Sequence, residues 1–251
     1  MNALNKQKPS VIRTQNNTAP RTPGLERLER AIAHLCLASR REAKALIIEG
    51  LVSVNGKVVK EPGFGIKEGS DSITITGTTV AEKETYLVYK KRGIETTKTT
   101  PTAKDLHSEF PNLAHLNAIG RLDKESEGLI IMSNDGTLTK ALTKENSTIG
   151  KTYKVTVQEN LPDQSLEKMR RGIVLNRIKT KPAIVERLSR TSFSITLFEG
   201  RKHQIRRMCD ACRLTIESLI RTNIGTIAIG SMKPSSSRKL TATEIQLLKQ
   251  T

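Results

Sequence analysis

The sequence predicts an α+β protein in two parts: a small helix–helix–hairpin module, then a larger unit on a mostly antiparallel, mixed sheet. Three observations predict this. Apolar residues recur at helical spacing through two short segments near the start. An Asn-Gly pair between two runs of valines signals a tight hairpin directly after them. Beyond residue 84, strands come in neighbouring runs with helices interspersed, without the strict alternation that builds a parallel sheet.

In order along the chain, residues 1–23 form an acid-free tail rich in Asn, Gln and Pro, with four basic residues. It reads as a disordered, RNA-seeking extension. Leu25, Leu28, Ile32 and Leu35 mark a first amphipathic helix. Ser39, with Glu42 three residues later, forms a capping box for a second helix over Arg40–Glu49. That helix turns Ala43, Leu46 and Ile47 to one face and Arg40, Arg41 and Lys44 to another, and Gly50 closes it. Strands on either side of Asn55-Gly56 follow, then a glycine-punctuated loop and the alternating strand Ser72–Thr76. The module is expected to span 24–76 and a linker 77–84, leaving 85–251 as the larger domain.

In that domain the expected strands are Thr85–Lys90, Leu129–Ser133, Tyr153–Gln158, Ala183–Leu188, Phe193–Glu199, Leu214–Leu219 and Ile224–Ile229. The expected helices are Thr137–Lys144, Asp163–Arg171, His203–Cys212 and Thr241–Lys249.

The formal net charge of +17 calls for a polyanionic partner. Most of the excess lies beyond residue 80. Aromatic residues make up only 3% and tryptophan is absent, which argues against a binder that stacks successive bases on aromatic platforms. No apolar run reaches membrane-spanning length and no secretory signal is visible, so the expected location is cytoplasmic. Cys209 and Cys212 form a C-x-x-C without a second pair, and Cys36 stands alone, so reduced cysteines are favoured over structural zinc. Neither a phosphate-cradling glycine loop nor a dinucleotide fingerprint is present.

Three segments carry candidate chemistry. Gly120-Arg121-Leu122-Asp123 sets a carboxylate ahead of the buried run Leu129–Met132. Gly150-Lys151-Thr152-Tyr153-Lys154 puts a tyrosine among basic residues at the start of a strand. Glu199-Gly200-Arg201-Lys202-His203-Gln204-Ile205-Arg206-Arg207 leads from a strand through a glycine turn into a basic helix. Singly, each has an ordinary reading: a turn or N-cap aspartate, a strand aromatic, a phosphate-binding face. Asp123, Glu125, Glu127 and Asp135 lie close in sequence, but the intervening Lys124 and the lack of histidines disfavour a metal site.

Together and in this order, GRLDKESEGLIIMSNDG, KTYKV and EGRKHQIRRM resemble the pseudouridine synthases acting on small- and large-subunit ribosomal RNA. The first module, with SRREA opening its second helix and VSVNGKVV after it, resembles the alpha-L RNA-binding domain. The resemblance covers roughly residues 24–249. It implies a pseudouridine synthase fold preceded by an alpha-L domain, and an isomerase that needs neither metal nor cofactor.

It also implies roles for the matched residues. Asp123 is the catalytic aspartate, Arg206 its ion-pair partner, and Tyr153 the residue that stacks on the uracil and acts as base. Arg121 fills the space left by the flipped uridine, and Leu219 packs beneath the site. Arg40, Arg41, Lys44, Arg201, Lys202, His203 and Arg207 are expected to contact RNA.

The implied partner is ribosomal RNA or a ribosome-assembly intermediate, with the large subunit favoured, and the implied state is a monomer. The rival reading is a non-catalytic RNA-binding assembly factor indifferent to Asp123. Two departures from the family stand out. Lys91 replaces the usual proline after Lys90, which predicts a looser turn. Ser235-Ser236-Ser237-Arg238 replaces an aromatic-arginine pair, which predicts a small loss of packing.

Overall fold

The computed structural model describes residues 25–35, 38, 40–67, 69–76, 82–98, 100–144 and 148–250. The tail, the cap at Ser39, Cys36 and most of the expected linker lie outside the described residues. The chain divides into two units: one of the residues up to Lys83 with Asn134–Thr137, the other of Glu84–Ser133 and the residues from Leu138 onward.

The smaller unit runs β1 (Leu25–Arg27), α1 (Leu28–His34), α2 (Arg40–Ile48), β2 (Val52–Val54), β3 (Lys57–Val58), β4 (Gly65–Lys67) and β5 (Ile73–Ile75). Leu28, Ile32, Ala43, Ile47, Val52, Val54, Ile66 and Ile73 bury one core between the helix pair and the strands. Asn55 and Gly56 take φ of 50° and 79°, both left-handed, as a tight hairpin between β2 and β3 requires.

Leu25 departs from the helical expectation. It pairs with Lys67 in the β1–β4 ladder, and its side chain stays largely exposed because it lies over Gly65 rather than in the core. Strand β4 falls in the glycine-rich loop, where alternation is too short to read.

The larger unit begins with β6 (Thr85–Lys90), α3 (Leu106–Glu109), a 3-10 turn at Pro111–Leu113, β7 (Asn117–Ile119), β8 (Glu127–Ser133) and α4 (Gly136–Thr143). Next come β9 (Lys151–Val157), α5 (Asp163–Arg171), β10 (Val174–Leu175), β11 (Ile178–Lys179), β12 (Ile184–Arg187) and β13 (Ser192–Leu197). It ends with α6 (Gln204–Ala211), β14 (Ile216–Ile224), β15 (Ile227–Ala228), β16 (Ser237–Lys239) and α7 (Ala242–Lys249). The main sheet has the order β12-β13-β9-β14-β8-β6-β16, with β15 on β14 and β7 on β8. Among the described strand pairs of this sheet only β14–β8 is parallel, so the expected α+β class with a mostly antiparallel mixed sheet describes this unit.

The expected strands Leu214–Leu219 and Ile224–Ile229 are instead one nine-residue strand, β14, followed by a short return strand. β14 is hydrogen-bonded on both sides, to β9 and β8. Central pairing therefore carries it through Arg221, Thr222 and Asn223, residues a local reading takes for a loop.

The sheet buries both faces. Leu87, Leu129 and Ile131 lie under α4 and α7, through Leu138, Leu142 and Leu248. Their neighbours Val88, Ile130 and Met132 point the other way, beneath Leu106, Phe110, Leu113 and Leu116 of the α3 region. Farther across that same face, Val155, Phe193, Ile195 and Leu219 pack under α5 and α6. Each such side chain, fully buried, stabilises the fold by about 1.5–3 kcal/mol. Tyr153 on β9 packs against both of these clusters, at the seam between them.

The second departure has a clear structure. Ser237–Lys239 forms the edge strand on β6, and Arg238 makes a bidentate pair with Glu244 at 2.6 and 2.9 Å. Glu244 also completes the capping box with Thr241 that starts α7. The pairing with Arg238 holds the Glu244 carboxyl down at about 2.

Candidate active site

The seam containing Tyr153 is crossed by one transverse row of ladder partners: Lys90 on β6, Gly128 on β8, Arg221 on β14 and Tyr153 on β9. Directly opposed residues share a face of the sheet. Gly128 is the necessary gap in this row. Its φ is 108°, and a Cβ there would collide with the backbone of Arg221 across the parallel pair.

Two cations flank the gap, both almost completely buried. Lys90 donates from Nζ to the carbonyls of Ile94 (2.6 Å), Lys91 (3.1 Å) and Lys124 (3.4 Å). Burial pushes its ammonium down to about 8, against the opposing pull of Glu127, Asp123 and Glu125. Arg221 donates from Nε to the Leu129 carbonyl at 2.6 Å, and its Nη2 is buried without a hydrogen-bond partner.

The turn carrying Asp123 lies just before β8, and its backbone is held at several points. Leu122 is buried among Leu106, Leu116 and Ile130 and acts as an apolar anchor. Thr96 brackets it: Leu122 N–H donates to Thr96 Oγ1 at 3.0 Å, and the same hydroxyl donates to the Leu122 carbonyl at 2.8 Å. The Ser126 amide closes the turn on the Asp123 carbonyl at 3.0 Å. The Gly93 amide donates to the Lys124 carbonyl at 2.8 Å. Arg92 pairs with the Glu125 carboxylate at 2.9 Å and draws that acid below its ordinary range.

The turn after Lys90 is thereby tied to the Asp123 turn. Lys91, which stands in place of the family's usual proline, pairs with Glu109 at 2.9 Å. The looseness expected of this turn is thus countered by hydrogen bonds and an ion pair in place of a ring constraint.

The basic segment meets the same turn from α6. Arg206 donates from Nη2 to the Glu125 carbonyl at 2.9 Å and to Ser126 Oγ at 3.2 Å. The expected Arg206–Asp123 ion pair is not formed; the guanidinium grips the backbone and hydroxyl two to three residues farther on. Among the described residues, the basic side chain within 4.0 Å of Asp123 is His203, with Nε2 3.4 Å from Oδ1. Asp123 is partly open, its side chain 41% exposed, so a substrate can reach the carboxylate. Tyr153 is half-buried at the seam, and Leu219 is buried beneath it in the neighbouring cluster.

The other candidates divide into two groups. Arg121 is exposed on the Asp123 turn, and Lys202 is exposed ahead of α6. Arg207 is half-buried on α6. In the small unit Arg40, Arg41 and Lys44 are exposed on α2, with Arg40 3.7 Å from Glu29.

Arg201 is committed within the protein. It pairs with Glu199 at 3.1 Å and donates to the carbonyls of Ile178 (3.2 Å) and Lys179 (2.7 Å) on the β10–β11 hairpin. Glu199 also accepts from Gln204 Nε2 at 2.7 Å and from the Lys181 amide at 2.9 Å. The C-x-x-C lies at the end of α6 with Cys209 wholly buried, and burial pushes that thiol up to about 12. Thr96, Lys90, Gly128 and Arg221 were not among the expected site residues. Gly128, the second residue of β8, was the one available signal, since a glycine inside a strand marks a close backbone approach.

Arranged this way, a carboxylate on a fixed turn stands at the edge of a sheet seam, with a tyrosine at that seam and cations around it. Such a site can attack an electrophilic carbon and hold a planar ring.

Comparison with known proteins follows the same lines. The family model described as RNA pseudouridylate synthase matches residues 84–211, and the S4 domain model matches residues 26–72. Ribosomal large subunit pseudouridine synthase B of Bacillus subtilis is 36% identical over 237 residues, 90% of this chain and 96% of the relative. An uncharacterized RNA pseudouridine synthase of Mycobacterium leprae is 32% identical over 254 residues, 95% of this chain and 98% of its own length. A crystal structure of a pseudouridylate synthase matches with a TM-score of 0.67 at 28% identity, covering 88% of this chain and 99% of that one.

Proposed function

The chain belongs to the RNA pseudouridylate synthase family, and from that premise we propose that it isomerises one specific uridine of ribosomal RNA, with Asp123 as the catalytic aspartate. Large-subunit RNA is the favoured substrate. The 36% identity to a large-subunit enzyme along nearly the whole chain supports this choice. The observation that carries the residue assignment is the Asp123 turn. Hydrogen bonds hold the Leu122 backbone and the carbonyls of Asp123, Lys124 and Glu125, while the Asp123 carboxylate is left accessible.

The reaction breaks the N1–C1′ bond of uridine, turns the detached uracil, and joins C5 to C1′. C5 gives up its proton and N1 gains one, so the product has the same atoms as the substrate. Asp123 attacks at C1′ or stabilises the sugar cation formed there. Tyr153 supplies the surface on which the uracil rests and takes the proton from C5. Arg121 enters the space left in the RNA stack when the uridine is flipped out. Arg206 keeps the turn in place through Glu125 and Ser126. Residues 24–76 act as a separate RNA-binding module, with Arg40, Arg41 and Lys44 on phosphates at the start of α2. The protein works as a cytoplasmic monomer on ribosomal RNA or on an assembly intermediate.

The test uses ribosomal RNA labelled with tritium at uridine C5, whose release reports turnover. Wild-type protein releases tritium, and carbodiimide mapping places the pseudouridine in large-subunit RNA. Asp123→Asn stops release while RNA affinity stays within about twofold. Retained turnover in that variant overturns the assignment of Asp123. Modification confined to small-subunit RNA overturns the choice of substrate.

A further inference from the structure

His203 has an unusual backbone, and its side chain does not cap its own helix. Its φ of 53° and ψ of 31° are left-handed, at the residue that starts α6, and its side chain makes no capping hydrogen bond. A non-glycine residue in this region costs about 1–2 kcal/mol and persists only where its surroundings hold it there.

Here they do so from both sides. Arg201 N–H donates to Gln204 Oε1 at 3.1 Å, and Gln204 N–H returns to the Arg201 carbonyl at 3.1 Å. Glu199 ties the side chains of both residues together, and Gln204 is buried. The brace closes a tight turn around Lys202 and His203. The result of this strain is the 3.4 Å approach of Nε2 to Asp123 Oδ1.

We propose that His203 is a positioning residue for Asp123, donating its Nε2–H to Oδ1 so that the other carboxylate oxygen is aimed at the sugar. The inference rests on Asp123 being the catalytic aspartate. The basic segment then acts on the Asp123 turn at two points one helical turn apart. Arg206 holds the turn's backbone and His203 holds the carboxylate. The Nε2–H tautomer suits this role, since a bare Nε2 lone pair would repel a carboxylate. Hydrogen bonds of this kind are often long before substrate arrives and shorten in the complex. The charged groups around the pair are Lys124, Glu125 and Glu127 beside Asp123, Lys90 from β6, and Lys202, Arg206 and Arg207 beside His203.

Three variants of the full chain test this, by single-turnover tritium release and by RNA affinity. His203→Asn keeps a residue that tolerates the left-handed backbone but is too short to reach Asp123. It is expected to lower the turnover rate about tenfold or more, leaving RNA affinity within about twofold and thermal unfolding unchanged. His203→Gln, which restores a donor of similar reach, is expected to recover most of the rate. Asp123→Asn is run alongside. If it is inert while His203→Asn turns over at the wild-type rate, the positioning role is overturned and the catalytic assignment stands. If His203→Asn weakens RNA binding without changing the saturated rate, His203 is an RNA contact and the proposal is overturned as well. An active Asp123→Asn removes the reading on which the proposal rests.

Discussion

Two basic helix starts in this protein look alike in sequence and behave differently in the fold. At α2, Arg40, Arg41 and Lys44 stand exposed, and Glu29 approaches Arg40 only at 3.7 Å. At α6, Arg201 and Arg206 spend their hydrogen bonds on the protein itself, on Glu199, the β10–β11 hairpin and the Asp123 turn. Exposed arginines in high dielectric keep their charge available for phosphate. Arginines bound to carbonyls and carboxylates act as scaffold, because a planar fork of donors fixes geometry as well as charge. A basic motif is therefore two kinds of object, and only partners tell them apart.

The largest effect should come from breaking the scaffold next to the chemistry. Arg206→Ala is expected to slow turnover about 100-fold, roughly 2.7 kcal/mol at the transition state, while RNA affinity changes little. A pure affinity loss with an intact saturated rate would move Arg206 to the phosphate-binding group and undo the contrast.

Arg201→Ala comes next. It removes the ties to the hairpin carbonyls and leaves Glu199 with less compensation, so thermal unfolding should report a loss of about 2 kcal/mol. The salt dependence of RNA binding should change by less than one unit of slope, since this charge is already used internally.

Combined Arg40→Ala, Arg41→Ala and Lys44→Ala should do the reverse. Affinity is expected to fall about tenfold near 0.15 M salt, and the slope of log affinity on log salt to flatten by about two to three. Turnover at saturating RNA and the unfolding temperature should hold. An unchanged slope would show that α2 is not a phosphate surface.

The smallest effect concerns a third kind of arginine, Arg238, whose charge is spent on Glu244. Glu244 sits near 2 in the fold, below its ordinary value of 4.5. A depressed carboxylate adds stability that is fully present above about 4.5 and is lost as pH falls through about 2. Glu244→Gln should therefore lower the unfolding temperature by a few degrees at pH 7, and the gap from wild type should close towards pH 2. A gap independent of pH would assign the effect to the lost cap and not to the ion pair.

Much of this architecture could be read from local pattern. Asp163–Arg171 is helical over the expected residues, and Asn55-Gly56 turns as that pair must. The alternation in Ser72–Thr76 and the apolar run before Ser133 give strands where expected. These readings work because helical period, strand alternation and turn chemistry are short-range effects. The same reasoning missed α3, β7 and the β10–β11 hairpin, whose two- to four-residue lengths hold too little pattern. It also split β14 in two, since only pairing on both sides keeps polar Arg221, Thr222 and Asn223 in a strand.

By itself the sequence determined the two-part α+β organisation, the family resemblance and the three segments that meet at the site. Which side chain holds which was decided only by the tertiary structure. Arg206 reaches Glu125 and Ser126 across about eighty positions of chain, and the ladder places Lys90, Gly128, Arg221 and Tyr153 in one row. Residue type says that an arginine will find an acceptor. Strand register and the close approach permitted by Gly128 say which one, because a hydrogen bond is selected by tenths of an ångström that no local pattern encodes.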